Sequence, residues 1–192
     1  MALTTLTRIK ETLKIGDTSE DTELTHLLNV ASEQIKNYCD TILEQATVTD
    51  ERVDGDFQEL RPANWIISSV TSIKDAYNSD STVAATNYTL DTSYGAIYIN
   101  DDATDLEFDQ QIWGKGRGRW KVTYVAGYST VPEDLQGACV RLVAYYRDRV
   151  APGISSEKIG NYSVAFQTAV SSYGIPEDVA AMLEPYRNQR IM

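Results

Sequence analysis

The stretch Ala46-Thr47-Val48-Thr49-Asp50-Glu51-Arg52-Val53, followed by Asp54-Gly55, decides how the 192-residue chain is organised. It is rich in β-branched residues, which suit a pleated, half-buried strand, and Asp-Gly is a turn signal. Helical periodicity stops here and returns only at Pro132. The chain therefore reads as helices, then strands, then helices.

Upstream, Leu6, Ile9 and Leu13 fall at i, i+3 and i+7, a short amphipathic helix with Gly16 as its expected end cap. Asp17, Thr18 and Ser19 offer an N-cap for a second helix, and Glu20, Asp21 and Glu23 place acid near its positive end. Leu24, Leu28, Ala31, Ile35 and Tyr38 then form one apolar face through about Cys39.

Downstream, Trp65 to Ile73 reads as a strand. Asn87 to Leu90 and Ala96 to Ile99 flank Ser93-Tyr94-Gly95 as a hairpin, and Arg119 to Val125 alternates cleanly. Five or six strands are expected between residues 46 and 128, with polar loops around Asn78 to Ser81 and Asn100 to Asp105. Pro132-Glu133-Asp134 opens a third helix carrying Leu135, Cys139, Leu142, Val143 and Tyr146 on one face, and Ala151-Pro152-Gly153 stops it. A short strand at Tyr162 to Phe166 and a last helix from Pro176 follow, the helix cut short by Pro185. Grouped rather than alternating elements argue an α+β fold. The expected architecture is a small helical bundle with a β-rich domain inserted between the second and third helices. Its parts are 1–45, N-terminal helices; 46–130, β-rich insertion; and 131–192, third helix, linker strand and C-terminal helix.

Composition limits the function. The net charge of −11 disfavours a protein that wraps phosphate backbones, which needs clustered Lys and Arg. A single histidine, His26, excludes multi-His metal sites, and two separated cysteines, Cys39 and Cys139, exclude zinc ribbons and disulfide scaffolds. The N-terminus has no charged region followed by an apolar core, and no run approaches a membrane span of about 18 apolar residues. The expectation is a soluble, cytoplasmically made protein with free thiols, no cofactor and no metal.

The local clusters carry little chemistry. Asp101, Asp102, Asp105, Glu107 and Asp109 lack the central Gly and the register of a calcium loop and read as a solvated acidic loop. Asp54, Asp56 and Glu59 around Gly55 read as a hairpin turn. His26 and Cys39 lie about 20 Å apart along one helix, too far for a nucleophile–base pair. Gly114-Lys115-Gly116-Arg117-Gly118-Arg119 has neither phosphate-loop spacing. In that stretch Lys115, Arg117, Arg119 and Lys121 alternate, so an extended chain puts them on one face. They read either as charges protecting a strand edge or as a contact for DNA or an acidic partner. Twelve tyrosines, with Tyr145 and Tyr146 adjacent, suggest a second packing surface.

The sequence resembles the head–tail connector (head-completion adaptor) family of tailed bacteriophages. The resemblance rests on Leu6-x-x-Ile9-Lys10-x-x-Leu13-Lys14-Ile15, Asp21-x-Glu23-Leu24-x-x-Leu27-Leu28-x-x-Ala31-x-x-x-Ile35-x-x-Tyr38-Cys39 and Val122-Thr123-Tyr124-Val125-Ala126-Gly127-Tyr128. It extends to Val131-Pro132-Glu133-Asp134-Leu135, Tyr145-Tyr146-Arg147-Asp148-Arg149, Ser156 to Val164 and Leu183-x-Pro185-Tyr186-Arg187. These motifs cover both ends, about half the chain, and their order and spacing carry the likeness.

The resemblance implies a non-enzymatic virion protein. Such adaptors form a ring, typically dodecameric, on the portal protein at the capsid vertex. The ring extends the DNA channel and receives the next neck or tail-completion protein. By the same resemblance, the segment from Pro176 to Met192 docks on the portal through Val179, Met182, Leu183 and Tyr186, with Arg187 and Ile191 beside them. Plain intramolecular packing is the rival reading of this helix. Negative charge suits a channel that DNA must traverse, because phosphate contacts would hold the DNA back. Two other readings stand beside the adaptor: another neck or tail-completion protein with a β-rich recognition domain, and a metal-dependent hydrolase using the Asp101 to Asp109 run.

Overall fold

The computed structural model describes residues 2–100, 112–148, 156–159, 162–165 and 174–188. Among them, Leu6–Leu13 (α1), Asp21–Cys39 (α2), Glu133–Arg147 (α3) and Glu177–Leu183 (α4) are α-helices. The strands are Ala46–Val53 (β1), Glu59–Leu60 (β2), Ile67–Asp75 (β3), Ser81–Thr82 (β4) and Tyr88–Asp91 (β5). Ala96–Ile99 (β6), Trp120–Ala126 (β7), Ser156–Ile159 (β8) and Tyr162–Ala165 (β9) complete them. The fold is α+β. The chain divides into two compact units, one from Met1–Asp40 with Val131–Met192, the other Thr41–Thr130.

In the helical unit, the Thr5 hydroxyl accepts a hydrogen bond from the Arg8 N–H and starts α1. The helix ends at Lys14 (φ 57°), whose N–H bonds to Glu11, while Ile15 N–H reaches Lys10 O at 2.9 Å. These bonds close the helix two residues before Gly16, the expected cap, and outweigh the cost of a left-handed lysine. Asp17 binds Ser19 N–H at 3.0 Å instead of capping α2, whose N-cap position is Glu20. The expected stripe of α2 (Leu24, Leu28, Ala31, Ile35, Tyr38) is buried, as are Leu135, Cys139, Leu142 and Val143 of α3. These two helices pack on each other, with α1 and α4 against them. Each large apolar side chain removed from water contributes about 1.5–3 kcal/mol. Both cysteines are free and buried. The Cys139 Sγ lies 3.7 Å from Ser32 Oγ, which also accepts the Leu3 N–H at 3.1 Å.

The β unit holds a four-stranded antiparallel sheet, ordered β1-β7-β3-β4, and a three-stranded one, β2-β6-β5. Strand β7 alternates as its sequence does: Trp120, Val122, Tyr124 and Ala126 are buried, the residues between them half-buried. Ile67, Ile73, Val122 and Tyr124 of the larger sheet share one core with Leu60, Ile97 and Ile99 of the smaller. Trp113 and Trp120 meet edge to face at the centre, with centroids 5.0 Å apart. Their indole N–H groups donate to Ile97 O and Gly114 O, each at 3.1 Å, so neither burial leaves an unpaired donor.

The β5–β6 hairpin forms where expected, with Leu90 opposite Ile97. Asp54-Gly55, however, is not a hairpin turn. Strand β1 pairs with β7, Val53 opposite Trp120, and β2 lies in the other sheet. Gly55 serves a close approach instead: a Cβ there would sit 2.0 Å from Gly114 O. Among the described residues the unit has seven strands, two of them, β2 and β4, only two residues long, where five or six were expected. In the C-terminal part, β8 pairs with the anticipated strand β9, Glu157 opposite Val164. The acidic run Asp101 to Asp109, Arg149 and the expected helix stop at Ala151 to Gly153 lie outside the described residues.

Candidate interaction surfaces

The C-terminal helix α4 follows Pro176, carries Glu177 and Asp178 in its first turn, and gives way to a 3-10 turn, Glu184–Tyr186, around Pro185. Val179 and Leu183 are 1% and 0% exposed. Side chains so enclosed offer nothing to a partner, so these two leave the expected contact set and belong to intramolecular packing. Met182, Tyr186 and Arg187 are half-buried, and Ile191 lies outside the described residues.

The segment is tied down along its length. The Tyr186 hydroxyl donates to the Asp134 carboxylate, and Tyr38 OH donates to Glu184 at 3.1 Å. Burial, and then that bond to Glu184, push the Tyr38 phenol above its ordinary pKa. The Arg187 guanidinium lies 5.6 Å from the Tyr38 ring centroid. Asn188 donates its backbone N–H to Cys39 O at 2.8 Å and its amide to Asp40 O at 3.2 Å, filling acceptors at the end of α2.

The basic stretch does not form one cationic face. A turn at Arg117-Gly118, with Gly118 at φ 57°, breaks the extended chain before β7 begins at Trp120. Arg119 binds Asp75 through Nε (3.0 and 3.1 Å) and Nη2 (2.6 Å). Burial alone would raise the Asp75 carboxyl, but hydrogen bonds from Arg119 and the Tyr77 N–H outweigh it and hold it below the ordinary range. Lys121 pairs with Asp80 at 2.7 Å and Lys115 with Asp56 at 3.0 Å. Register sets Arg52 and Lys74 opposite Lys121, so three cations cross the sheet in a row. The hydrogen bond from Lys121, with the charges of Lys121, Lys74 and Arg52, holds the exposed Asp80 carboxyl low despite some desolvation. Arg117 is exposed and has no ion pair among the described residues.

Around this stretch the loops interlock. Gly55 N–H donates to Gly116 O (2.9 Å), Asp56 N–H to Trp113 O (2.8 Å) and Trp113 N–H to Phe57 O (2.8 Å). Tyr77 OH donates to Arg117 O at 3.2 Å, and the Arg119 guanidinium lies over the Tyr77 and Trp120 rings at 5.8 and 5.2 Å. Phe57 and Tyr77, 61% and 63% exposed, flank the same loop. Nothing in their local sequence separates them from core aromatics; only the folded loops show that they face water.

The second packing surface expected from the tyrosines is drawn partly inward, since Tyr146 OH donates to Gln34 of α2. His26 is exposed. Among the described residues no three His, Cys, Asp or Glu side chains group as metal ligands, and no helix is long and apolar enough to cross a membrane.

The family described as "Head completion protein" matches over residues 2–189. Three solved structures share the fold at 20–21% identity. A chain from the neck of an empty gene transfer agent (GTA) particle, computed with C6 symmetry, aligns over 99% of this chain and 92% of its own at 20% identity, with a TM-score of 0.55. One from the neck of a native GTA particle, computed with C12 symmetry, aligns over 88% and 84% at 20% identity, with a TM-score of 0.51. One from the virion of a native GTA particle aligns over 91% and 81% at 21% identity, with a TM-score of 0.50. No curated protein matches the chain.

Proposed function

We propose that this chain, which belongs to the head completion protein family, is a structural adaptor of the virion neck, assembled as a ring between the portal and the next neck or tail component. The family match over residues 2–189 carries the reading. The shared fold with chains of GTA necks, computed with C12 and C6 symmetry, supports a ring. A closed ring needs two different surfaces on each copy, which a chain with a helical and a β unit can supply. We take the β unit, Thr41–Thr130, as the insertion in a helical adaptor core.

The charge fits the task. DNA passing through the ring must not be gripped, and the net charge is −11. Arg119 and Lys121 are drawn to carboxylates of their own chain, which weakens the basic stretch as a phosphate binder. The adaptor uses no cofactor and performs no catalysis. On the C-terminal segment, Met182, Tyr186 and Arg187 make the portal contact, with Ile191 beyond them. Met182→Glu with Tyr186→Ala is expected to abolish portal binding in a pull-down while leaving the fold intact; undiminished binding places the portal site elsewhere. Removing the gene is expected to leave DNA-filled heads that cannot join tails. Normally tailed particles from the deletion would end the adaptor reading.

A further inference from the structure

We infer that the loop platform of Arg52, Phe57, Tyr77, Lys115 and Arg117 is the surface by which one copy grips the next. The inference rests on the ring reading and adds the surface that builds it.

Three observations converge. First, among the described residues, three exposed cations that have no ion pair or only an open one, Arg52, Arg117 and Lys115, meet here. Among the described residues, many cations elsewhere are paired, as Arg8 with Glu133, Lys10 with Asp21, Arg61 with Glu59 and Arg147 with Glu20, though the exposed Lys14 is not. Arg52 and Arg117 have no ion pair among the described residues; Arg52 donates to Gly118 O at 3.0 Å, at the edge of the same loop, and acts on Asp80 only through its charge. The Lys115–Asp56 pair is 83% and 51% exposed, too open to contribute much, and Lys115 is easily re-paired. With Arg119 and Lys121, these loops carry five cations beside Asp54, Asp56, Asp75 and Asp80 in a chain of net charge −11.

Second, the platform exposes Phe57 and Tyr77. Aromatics beside arginine are the composition of interface hot spots. Third, the platform is pre-organised by the Gly55–Gly116, Asp56–Trp113 and Tyr77–Arg117 bonds, so little ordering entropy is lost on docking.

The occupant follows from charge complementarity. A locally cationic patch on an acidic molecule is matched by the rest of another such molecule. Pairing it with a different region of the next copy is the head-to-tail contact a ring requires.

The test uses full-length protein in assembled particles with benzoylphenylalanine in place of Phe57 or, separately, Tyr77. Irradiation is expected to yield a product of twice the chain mass, identified by peptide mass spectrometry as two joined copies. A product joined to another protein or to DNA overturns the inference, as does no product from particles that contain the chain. Particles without the chain overturn both this inference and the ring reading. In parallel, Arg52→Glu with Arg117→Glu is expected to leave the thermal midpoint within about 2 °C of wild type. Incorporation into particles is expected to fall by about tenfold. Wild-type incorporation of that folded variant contradicts the proposal.

Discussion

Asp75 concentrates the electrostatics of the β unit in one side chain. It is 5% exposed, Arg119 is its main partner, and the bond anchors the loop that carries Lys115 and Arg117. Asp75→Asn leaves a guanidinium without its charge partner. The expected loss at neutral pH is about 3 kcal/mol, the low end for a broken buried pair because Arg119 keeps a quarter of its side chain in water. The folded-state pKa of Asp75 is depressed, so the stability it contributes is complete above the ordinary carboxylate value of about 3.9 and is lost as pH falls below it. Denaturant unfolding should therefore show a gap between wild type and Asp75→Asn that is constant from about pH 7 to 5 and narrows below about pH 4. Cys39 gives a second test. Burial pushes its thiol up to about 12, so little thiolate exists at pH 8 and alkylation in the native state should be slow until unfolding exposes it. Rapid native-state labelling at Cys39, read by peptide mass spectrometry, would contradict its burial. Burial of Cys139 was legible from its place on an apolar helix face. The Asp75–Arg119 and Asp80–Lys121 pairs were not, because their partners lie 44 and 41 residues apart and alternation records nothing of what folding brings alongside.

Elements were most legible where their cause is local. The β5–β6 hairpin needs only a turn whose residue Gly95 sits at φ 56°, where a Cβ would lie 2.1 Å from Trp65 O. The early end of α4 needs only Pro185. The β1 partner was not legible, since the Asp-Gly signal says that the chain bends but not which strand it then meets. Its consequence is a loop platform joined by bonds between residues 55–57 and 113–116, which no local reading reaches. On α4 the sequence marked an apolar helix correctly, but amphipathicity cannot tell a face covered by its own chain from one awaiting a partner. The structure divides that face, and the division is measurable. Leu183→Ala should cost about 2–5 kcal/mol in denaturant unfolding, as for a buried leucine. Met182→Ala, at a half-buried position, should cost clearly less and act on portal binding. Equal losses of stability would contradict the division.

At the scale of the molecule, the α+β order of helices, strands and helices followed from periodicity, and net charge bounded the class of partner. What periodicity could not supply was the distribution of that charge, because the ion pairs that set it join residues far apart in sequence, such as Arg8 with Glu133 and Arg119 with Asp75. In the ring we propose, an acidic adaptor with a cationic, aromatic loop patch binds its own kind around a passage for DNA. The most direct measurement is a reconstruction of the neck of assembled particles in which this chain carries a visible C-terminal fusion. The account predicts a closed ring of copies between the portal and the next component, with the Phe57–Tyr77 platform of each copy against its neighbour. Its absence from the neck, or its presence as isolated copies not touching one another, would contradict it.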